Sequence, residues 1–181
     1  SKSQTGPWMD KLIEFPGAGV NTLSKKQYTD HLAVVCHIMN IPLIFSKKED
    51  LDQAAVCYPH LKTLLLDAET FTPEYLFTNF DVIFMSDRWD KKSFHERFGD
   101  VEMKLGKKIR VVYCPHGFSD KGFYLRLAAY SDIVLAYGQN MFDQLKEQDV
   151  LNQMENYVIT GNYRLTYYKQ HEDYYNTMVR E

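Results

Sequence analysis

Short apolar segments alternate along this chain with longer amphipathic ones. Runs of three to six mostly apolar, β-branched or aromatic residues predict strands, and stretches with apolar positions at helical spacing predict helices. The predicted strands are Lys11–Phe15, Leu43–Phe45, Thr63–Leu66, Val82–Met85, Ile109–Tyr113, Asp132–Tyr137 and Tyr157–Thr160. The predicted helices are Ser24–Met39, Lys47–Val56, Lys121–Tyr130, Gln139–Asn152 and one that opens at Thr72-Pro73-Glu74.

Strands that are apolar on both faces and separated by helices are typical of a parallel sheet covered on both sides. The chain is therefore predicted to be an α/β protein, with a three-layer, doubly wound and mainly parallel sheet of the Rossmann-like type. No internal linker or low-complexity tract divides it, so residues 1–161 are expected to form one domain.

The last segment, residues 162–181, is rich in tyrosine. Its five tyrosines give it amphipathic aromatic surface, and it ends at Arg180-Glu181 without a helix stop signal. The tail could fold back on its own domain or begin a helix that packs against a second domain absent from this chain. Because such aromatic residues suit interfaces, the second alternative is favoured.

Composition narrows the class of protein. The net charge of −3 and the dispersed lysine pairs give no footprint for nucleic acid. The three cysteines show no CxxC spacing, which indicates a reducing, cytoplasmic compartment. No apolar run is long enough to span a membrane. His31 and His37 are six residues apart, which does not place them on one helical face, so no metal site is expected.

Polar residues follow several predicted strands, at the sheet edge where ligands of open α/β proteins bind. Gly17 and Gly19 allow close approach of a ligand to the backbone, or form a plain turn. Asp87 and Arg88 could bind a hydroxylated ligand, or form a local ion pair. No P-loop and no Ser-His-Asp spacing is present in the sequence.

His116 is the strongest candidate for chemistry. The strand Ile109–Tyr113 is followed by Cys114 and Pro115, and His116 then stands where the next helix is about to begin. Histidine is suited to proton transfer near neutral pH, although a turn histidine that only satisfies backbone groups is the alternative. The residues that follow would favour a phosphate at a helix N-terminus: Gly117, Ser119, Asp120 and Lys121.

The segment Cys114–Phe123 resembles the His-Gly loop of the CDP-glycerol glycerophosphotransferase family. Ser131–Tyr137 is similar to the next strand of that family, and Val158–Arg164 is similar to its TGYPR segment, in the same order and at matching distances. The resemblance covers roughly residues 81 to 164. Phe118 and the pair Asn162-Tyr163 depart from the family pattern.

The resemblance implies the acceptor-side half of a two-domain GT-B transferase. Such an enzyme moves glycerol phosphate, a polyol phosphate or a sugar from a CDP- or UDP-activated donor to a hydroxyl of a small molecule or a teichoic acid-like polymer. It implies that His116 is the general base and that Arg164 binds substrate. It also implies that a second Rossmann-like domain holds the nucleotide, so that this chain alone has no cofactor and no turnover. The full protein is expected in the cytoplasm, and peripheral attachment to the cytoplasmic face of the membrane is an open alternative.

Two other functions stay open. The segment Asp81–Asp87 is similar to a strand of UDP-N-acetylglucosamine 2-epimerases, which share the GT-B architecture, although Ser86 stands where they have glycine. A non-catalytic Rossmann-like module that binds a phosphorylated small molecule would need the same sheet edge.

Overall fold

The computed structural model describes residues 16–21, 26–86, 91–115, 133–150, 152 and 156–180. Seven strands form one sheet in the order β3-β2-β1-β4-β5-β6-β7. The strands are β1 (Gly17–Val20), β2 (Leu43–Phe45), β3 (Thr63–Leu65), β4 (Val82–Met85), β5 (Arg110–Tyr113), β6 (Ile133–Ala136) and β7 (Asn156–Ile159). Every neighbouring pair is parallel, so the predicted doubly wound α/β fold is confirmed.

Helices cover both faces of the sheet. They are α1 (Lys26–Met39), α2 (Lys48–Cys57), α3 (Pro73–Asn79), α4 (Lys91–Leu105), α5 (Gln139–Glu147), α6 (Tyr163–Gln170) and α7 (Glu172–Arg180). One apolar core joins α1, α2 and α6 to strand residues such as Phe45 and Phe84. Two further clusters join α3, α4 and α5 to the opposite strand face, which includes Met85 and Tyr113. The alternation of side chains along each strand therefore produces the three layers.

Most predicted strands and helices are found within one or two residues of their expected bounds. The start of α3 is a clear case, because the Thr72 hydroxyl accepts a hydrogen bond from Tyr75 N and Pro73 occupies the first turn. The helix α5 ends at Glu147, five residues earlier than expected. The predicted strand Lys11–Phe15 and helix Lys121–Tyr130 lie outside the described residues.

The prediction of a glycine loop at residues 17–19 was wrong, since these residues are the strand β1. Gly17 pairs with Val82 and Gly19 pairs with both Leu43 and Phe84, so β1 lies between β2 and β4 in the middle of the sheet. Glycine is a poor strand former, and tertiary packing overrides that preference here. A Cβ on Gly19 would lie 2.4 Å from Cys36 Sγ on α1, so close packing of the helix on the strand requires glycine.

The strand order reverses between β1 and β4. Strands β2 and β3 extend the sheet on one side of β1, and β4 through β7 extend it on the other. At such a switch point the connections leave in opposite directions and open a crevice at the carboxyl ends of the strands. Asn21 and Ser86 directly follow these two strands and are both buried. A binding site is therefore expected at this crevice.

The tail is helical, and it lies against its own domain. Tyr163 and Tyr167 of α6 are buried in the core that includes α1. The phenols of Tyr174 and Tyr175 on α7 donate hydrogen bonds to the carbonyls of Val56 and Cys57, at the end of α2. These carbonyls lack partners within their own helix, so the tail satisfies them. These contacts correspond to the first alternative, in which the tail folds back on its own domain. The favoured alternative, a helix that packs against a second domain, does not account for them.

Candidate functional site

A polar cluster lies at the carboxyl edge of the sheet, built from segments that each follow a strand. Asp30 and His31 are in the second turn of α1, which follows β1, and Arg164 is in the first turn of α6, which follows β7. Tyr137 directly follows β6 and Pro115 follows β5. We call these five residues the edge cluster. Parallel strands bring them together, although up to 134 positions separate them in sequence, from Asp30 to Arg164.

Asp30 is the anionic centre of the edge cluster. Its side chain is 8% exposed, and its Oδ2 forms an ion pair with Arg164 Nη2. Its Oδ1 accepts hydrogen bonds from the phenols of Tyr58 and Tyr168. A buried carboxylate needs partners of this kind, because an unpaired charge inside a protein is costly. Asp30 thereby ties α1 to the segment after α2 and to the tail helix α6.

The tyrosines around Asp30 are proton donors at neutral pH. Burial, followed by the hydrogen bond to Asp30, raises the pKa of Tyr168 to about 12. Burial also raises the pKa of Tyr58, and the neighbouring Asp30 charge adds to that effect. Burial likewise raises the pKa of Tyr137 and Tyr163. These phenols therefore orient other groups and do not serve as bases near pH 7.

The hydrogen bonds of His31 determine its tautomer. The Tyr137 hydroxyl donates its single proton to the carbonyl of Pro115, so its oxygen accepts from His31 Nδ1, 2.8 Å away. Arg164 can only donate, so its Nη1 donates to His31 Nε2 over 3.2 Å. These two contacts fit the tautomer of His31 that carries its proton on Nδ1 and accepts at Nε2. Its ring also stacks on Tyr137, with a centroid separation of 5.6 Å.

Arg164 is the cation that the edge cluster presents outward. Its side chain is 37% exposed, whereas His31 is 3% exposed. The Nε atom of Arg164 is buried without a hydrogen-bond partner among the described residues. Arginine has a planar fork of donors that matches phosphate and carboxylate oxygens. The edge cluster can thus offer a guanidinium to an anionic group while Asp30 and His31 fix its position.

The residues proposed from sequence divide into three groups. Arg164 lies in the edge cluster. Gly17 and Gly19 lie inside β1 under α1, away from the carboxyl edge. The other predicted site residues lie outside the described residues: Asp87, Arg88, His116, Gly117, Ser119, Asp120 and Lys121.

The edge cluster also contains three residues that were not predicted as site residues from the sequence, namely Asp30, His31 and Tyr137. The signal that could have found Asp30 and His31 was the pair Asp-His near the start of the helix that follows the first strand. Because residues 17–19 were predicted to be a loop, the carboxyl end of β1 was not recognised as lying just before this helix.

Comparisons with protein-family models, with curated proteins and with solved structures found no match to this chain. Within the described ranges, no group of three His, Cys, Asp or Glu side chains is arranged to hold a metal ion. In the same part of the chain, no helix combines the length and apolar character that crossing a membrane requires.

Proposed function

We propose that this chain is the acceptor-side domain of a GT-B transferase that moves glycerol phosphate, a polyol phosphate or a sugar from a nucleotide-activated donor. One observation carries the proposal beyond the sequence resemblance. Arg164, which the resemblance identifies as a substrate-binding residue, contacts His31, and the His31–Tyr137 pair reaches the carbonyl of Pro115. Pro115 directly precedes His116, the proposed general base.

The chemistry assigned to these residues is base-assisted attack of an acceptor hydroxyl on the donor. His116 takes the proton of the acceptor hydroxyl as its oxygen bonds to phosphorus or to the anomeric carbon, and the nucleotide leaves with the bonding electrons. Arg164, together with Lys121 and the helix N-terminus expected near Ser119, balances the negative charge. The nucleotide itself is assigned to a second Rossmann-like domain.

The assignment of His116 as the base is supported by the hydrogen bonds of His31, the other histidine near this edge, because they leave His31 unsuited to proton transfer. Its Nε2 accepts from a guanidinium and its Nδ1 donates to Tyr137, so proton uptake at Nε2 would break the bond to Arg164. A base needs a lone pair that is open to the substrate hydroxyl. His31 is thus a positioning group for Arg164.

Ligand titration of the 181-residue chain tests the proposal. We expect glycerol 3-phosphate to bind in calorimetric titrations and CMP not to bind, because the nucleotide site is assigned to the other domain. Arg164→Gln should weaken glycerol 3-phosphate binding about tenfold or more, since a charge-assisted hydrogen bond contributes about 1.5–3 kcal/mol. Incubation with radiolabelled CDP-glycerol and candidate acceptors should give no transfer.

Arg97→Gln is the matched control, because Arg97 is exposed on α4, which packs on the other face of the sheet. It should bind glycerol 3-phosphate as the wild-type chain does, and so should His116→Ala. Tight binding of CMP, or transfer by this chain alone, would show that the division between two domains is wrong. Equal binding by the Arg164 and Arg97 variants would remove Arg164 from the site.

A further inference from the structure

Three histidines from three different segments meet where the tail packs on the domain. His37 is in the last turn of α1, His60 follows α2, and His171 is at the turn between α6 and α7. The ring centroids are 5.6 Å apart for His37 and His171, and 6.2 Å apart for each of the other two pairs. We call these three residues the histidine triangle. It lies on the tail side of α1, apart from the edge cluster.

The tail depends on the contacts that surround the histidine triangle. The Tyr167 ring packs at 4.4 Å from the His171 ring and at 5.3 Å from the His37 ring. Tyr167 is also hydrogen-bonded through its hydroxyl to Tyr175 of α7, at 3.0 Å. His171 Nδ1 lies 2.9 Å from the carbonyl oxygen of Tyr167, and the His60 ring packs against the His37 ring. A change in the triangle is therefore transmitted to both tail helices.

The surroundings of the triangle offer little to balance added positive charge. Burial lowers the pKa of His37, and the neighbouring His171 and His60 rings lower it further, whereas the His60 backbone has the opposite effect. The charged residues nearest in sequence are all exposed, namely Lys62, Lys169, Glu172 and Asp173. Within the described residues, none of them forms an ion pair with the three imidazoles. The packed segments also carry Cys57 and several tyrosines, and of these Tyr58, Tyr167, Tyr168 and Tyr175 have raised pKa values.

The carboxylate of α1, that of Asp30, is already paired with other groups and does not balance charge on the triangle. Asp30 lies about two helical turns from His37 and is bound by Arg164, Tyr58 and Tyr168. Neutral imidazoles can pack against each other and against Tyr167, whereas imidazolium ions at these separations repel one another. The triangle therefore fits the tail best when its members are neutral.

We propose that His37, His60 and His171 form a proton-sensitive latch that holds α6 and α7 on the domain at neutral pH and loosens them in mild acid. Because Arg164 is in the first turn of α6, loosening the tail also withdraws the guanidinium from Asp30 and His31. That second consequence, loss of the anion site, rests on the proposed function. The latch itself does not.

The sign follows from the lowered pKa of His37. The loosened state has the ordinary value of 6.5 and takes up a proton first as the pH falls, so acid favours it. Docking is complete above pH 6.5 and weakens progressively below it. Coulomb repulsion between two imidazolium ions 5.6–6.2 Å apart, at a dielectric between that of water and that of a protein surface, corresponds to about a tenfold change in the docking equilibrium.

Amide hydrogen exchange tests the latch without any ligand. Protection factors, corrected for the intrinsic effect of pH, should fall about tenfold in α6 and α7 between about pH 7.5 and 5.5. Protection in β4 and β5 should stay constant, which separates local release of the tail from unfolding of the domain. The triple variant H37Q/H60Q/H171Q should show the same tail protection at both pH values, and H171Q alone should reduce the difference.

His95→Gln is the control, because it removes a histidine from α4 on the opposite face. It should keep the wild-type dependence on pH. The latch would be overturned if amide protection of the wild-type tail stayed constant between the two pH values, or if protection fell as much in the triple variant as in the wild type. Equal losses of protection in the tail and in β5 would also overturn it. Glycerol 3-phosphate titrations at both pH values then test the loss of the anion site separately. A latch without any ligand binding would contradict only the proposed function.

Discussion

Replacement of Gly19 by alanine tests whether this glycine serves packing or a ligand. The added Cβ would lie 2.4 Å from Cys36 Sγ and 2.8 Å from Leu43 Cδ1, on opposing elements, and both separations are far shorter than van der Waals contact. Overpacking of this kind costs about 1–3 kcal/mol. The reduced entropy of the unfolded chain returns only about 0.4–1 kcal/mol. Because the Cβ would meet two side chains below 3.0 Å, the cost lies at the upper end of that range, and we expect a net loss of about 2 kcal/mol for Gly19→Ala.

Gly17→Ala is the matched control on the same strand. Its Cβ would meet only Val82 O at 3.4 Å and the Ile41 side chain at 3.7 Å, so it should change stability by less than about 1 kcal/mol. Urea unfolding followed by far-UV circular dichroism measures both variants, and Gly19→Ala should also lower Tm by about 4–8 °C. Adding Cys36→Ala removes the 2.4 Å contact and should restore about 1 kcal/mol.

Two results would refute this reasoning. Equal stability of the Gly17 and Gly19 variants would show that α1 does not pack on β1 as described. Unchanged stability with weakened glycerol 3-phosphate binding in Gly19→Ala would restore the ligand role first predicted for this glycine.

Two further predictions concern buried groups. Asp30→Asn should lower the free energy of unfolding at pH 7 by about 2 kcal/mol, because the carboxylate accepts from two phenols and pairs with Arg164. The exposed Asp52→Asn should cost less than about 0.5 kcal/mol in the same urea series, and equal losses would contradict the role of Asp30. Burial raises the pKa of the Cys36 thiol, so a thiol reagent at pH 8 should modify the half-buried Cys57 in the native protein and Cys36 only after unfolding. Native reactivity that survives Cys57→Ser would show that Cys36 or Cys114 is accessible.

Elements with strong local signals were predictable from the amino-acid sequence alone. Val82–Met85 is apolar at every position, which is typical of a central parallel strand, and Thr72-Pro73 combines an N-cap with the proline that suits a first turn. Such elements follow from local chemistry and from the two periods of hydrophobic residues. The fold class follows from them, because strands apolar on both faces need helices on both sides.

Other elements have no clear local signal. No element was predicted for residues 91–105, which form α4. Among residues 96–105 of this helix, only Phe98 and Val101 are buried, so most of that part is solvated and its apolar stripe is narrow. The strand β1 is half glycine, and it is a strand because β2 and β4 supply its hydrogen bonds and α1 needs small residues beneath it.

Which polar groups come into contact depends on the tertiary fold. Arg164 was visible in the sequence, but its partners Asp30 and His31 precede it by more than 130 residues, and the direction of the tail decides whether they touch. The tail folds back because Tyr163 and Tyr167 gain burial in the α1 core and because its other phenols satisfy carbonyls at the end of α2. Both gains come from residues that are distant in sequence. Hydrophobic periodicity shows which face of an element is buried, but it does not show which other element covers that face.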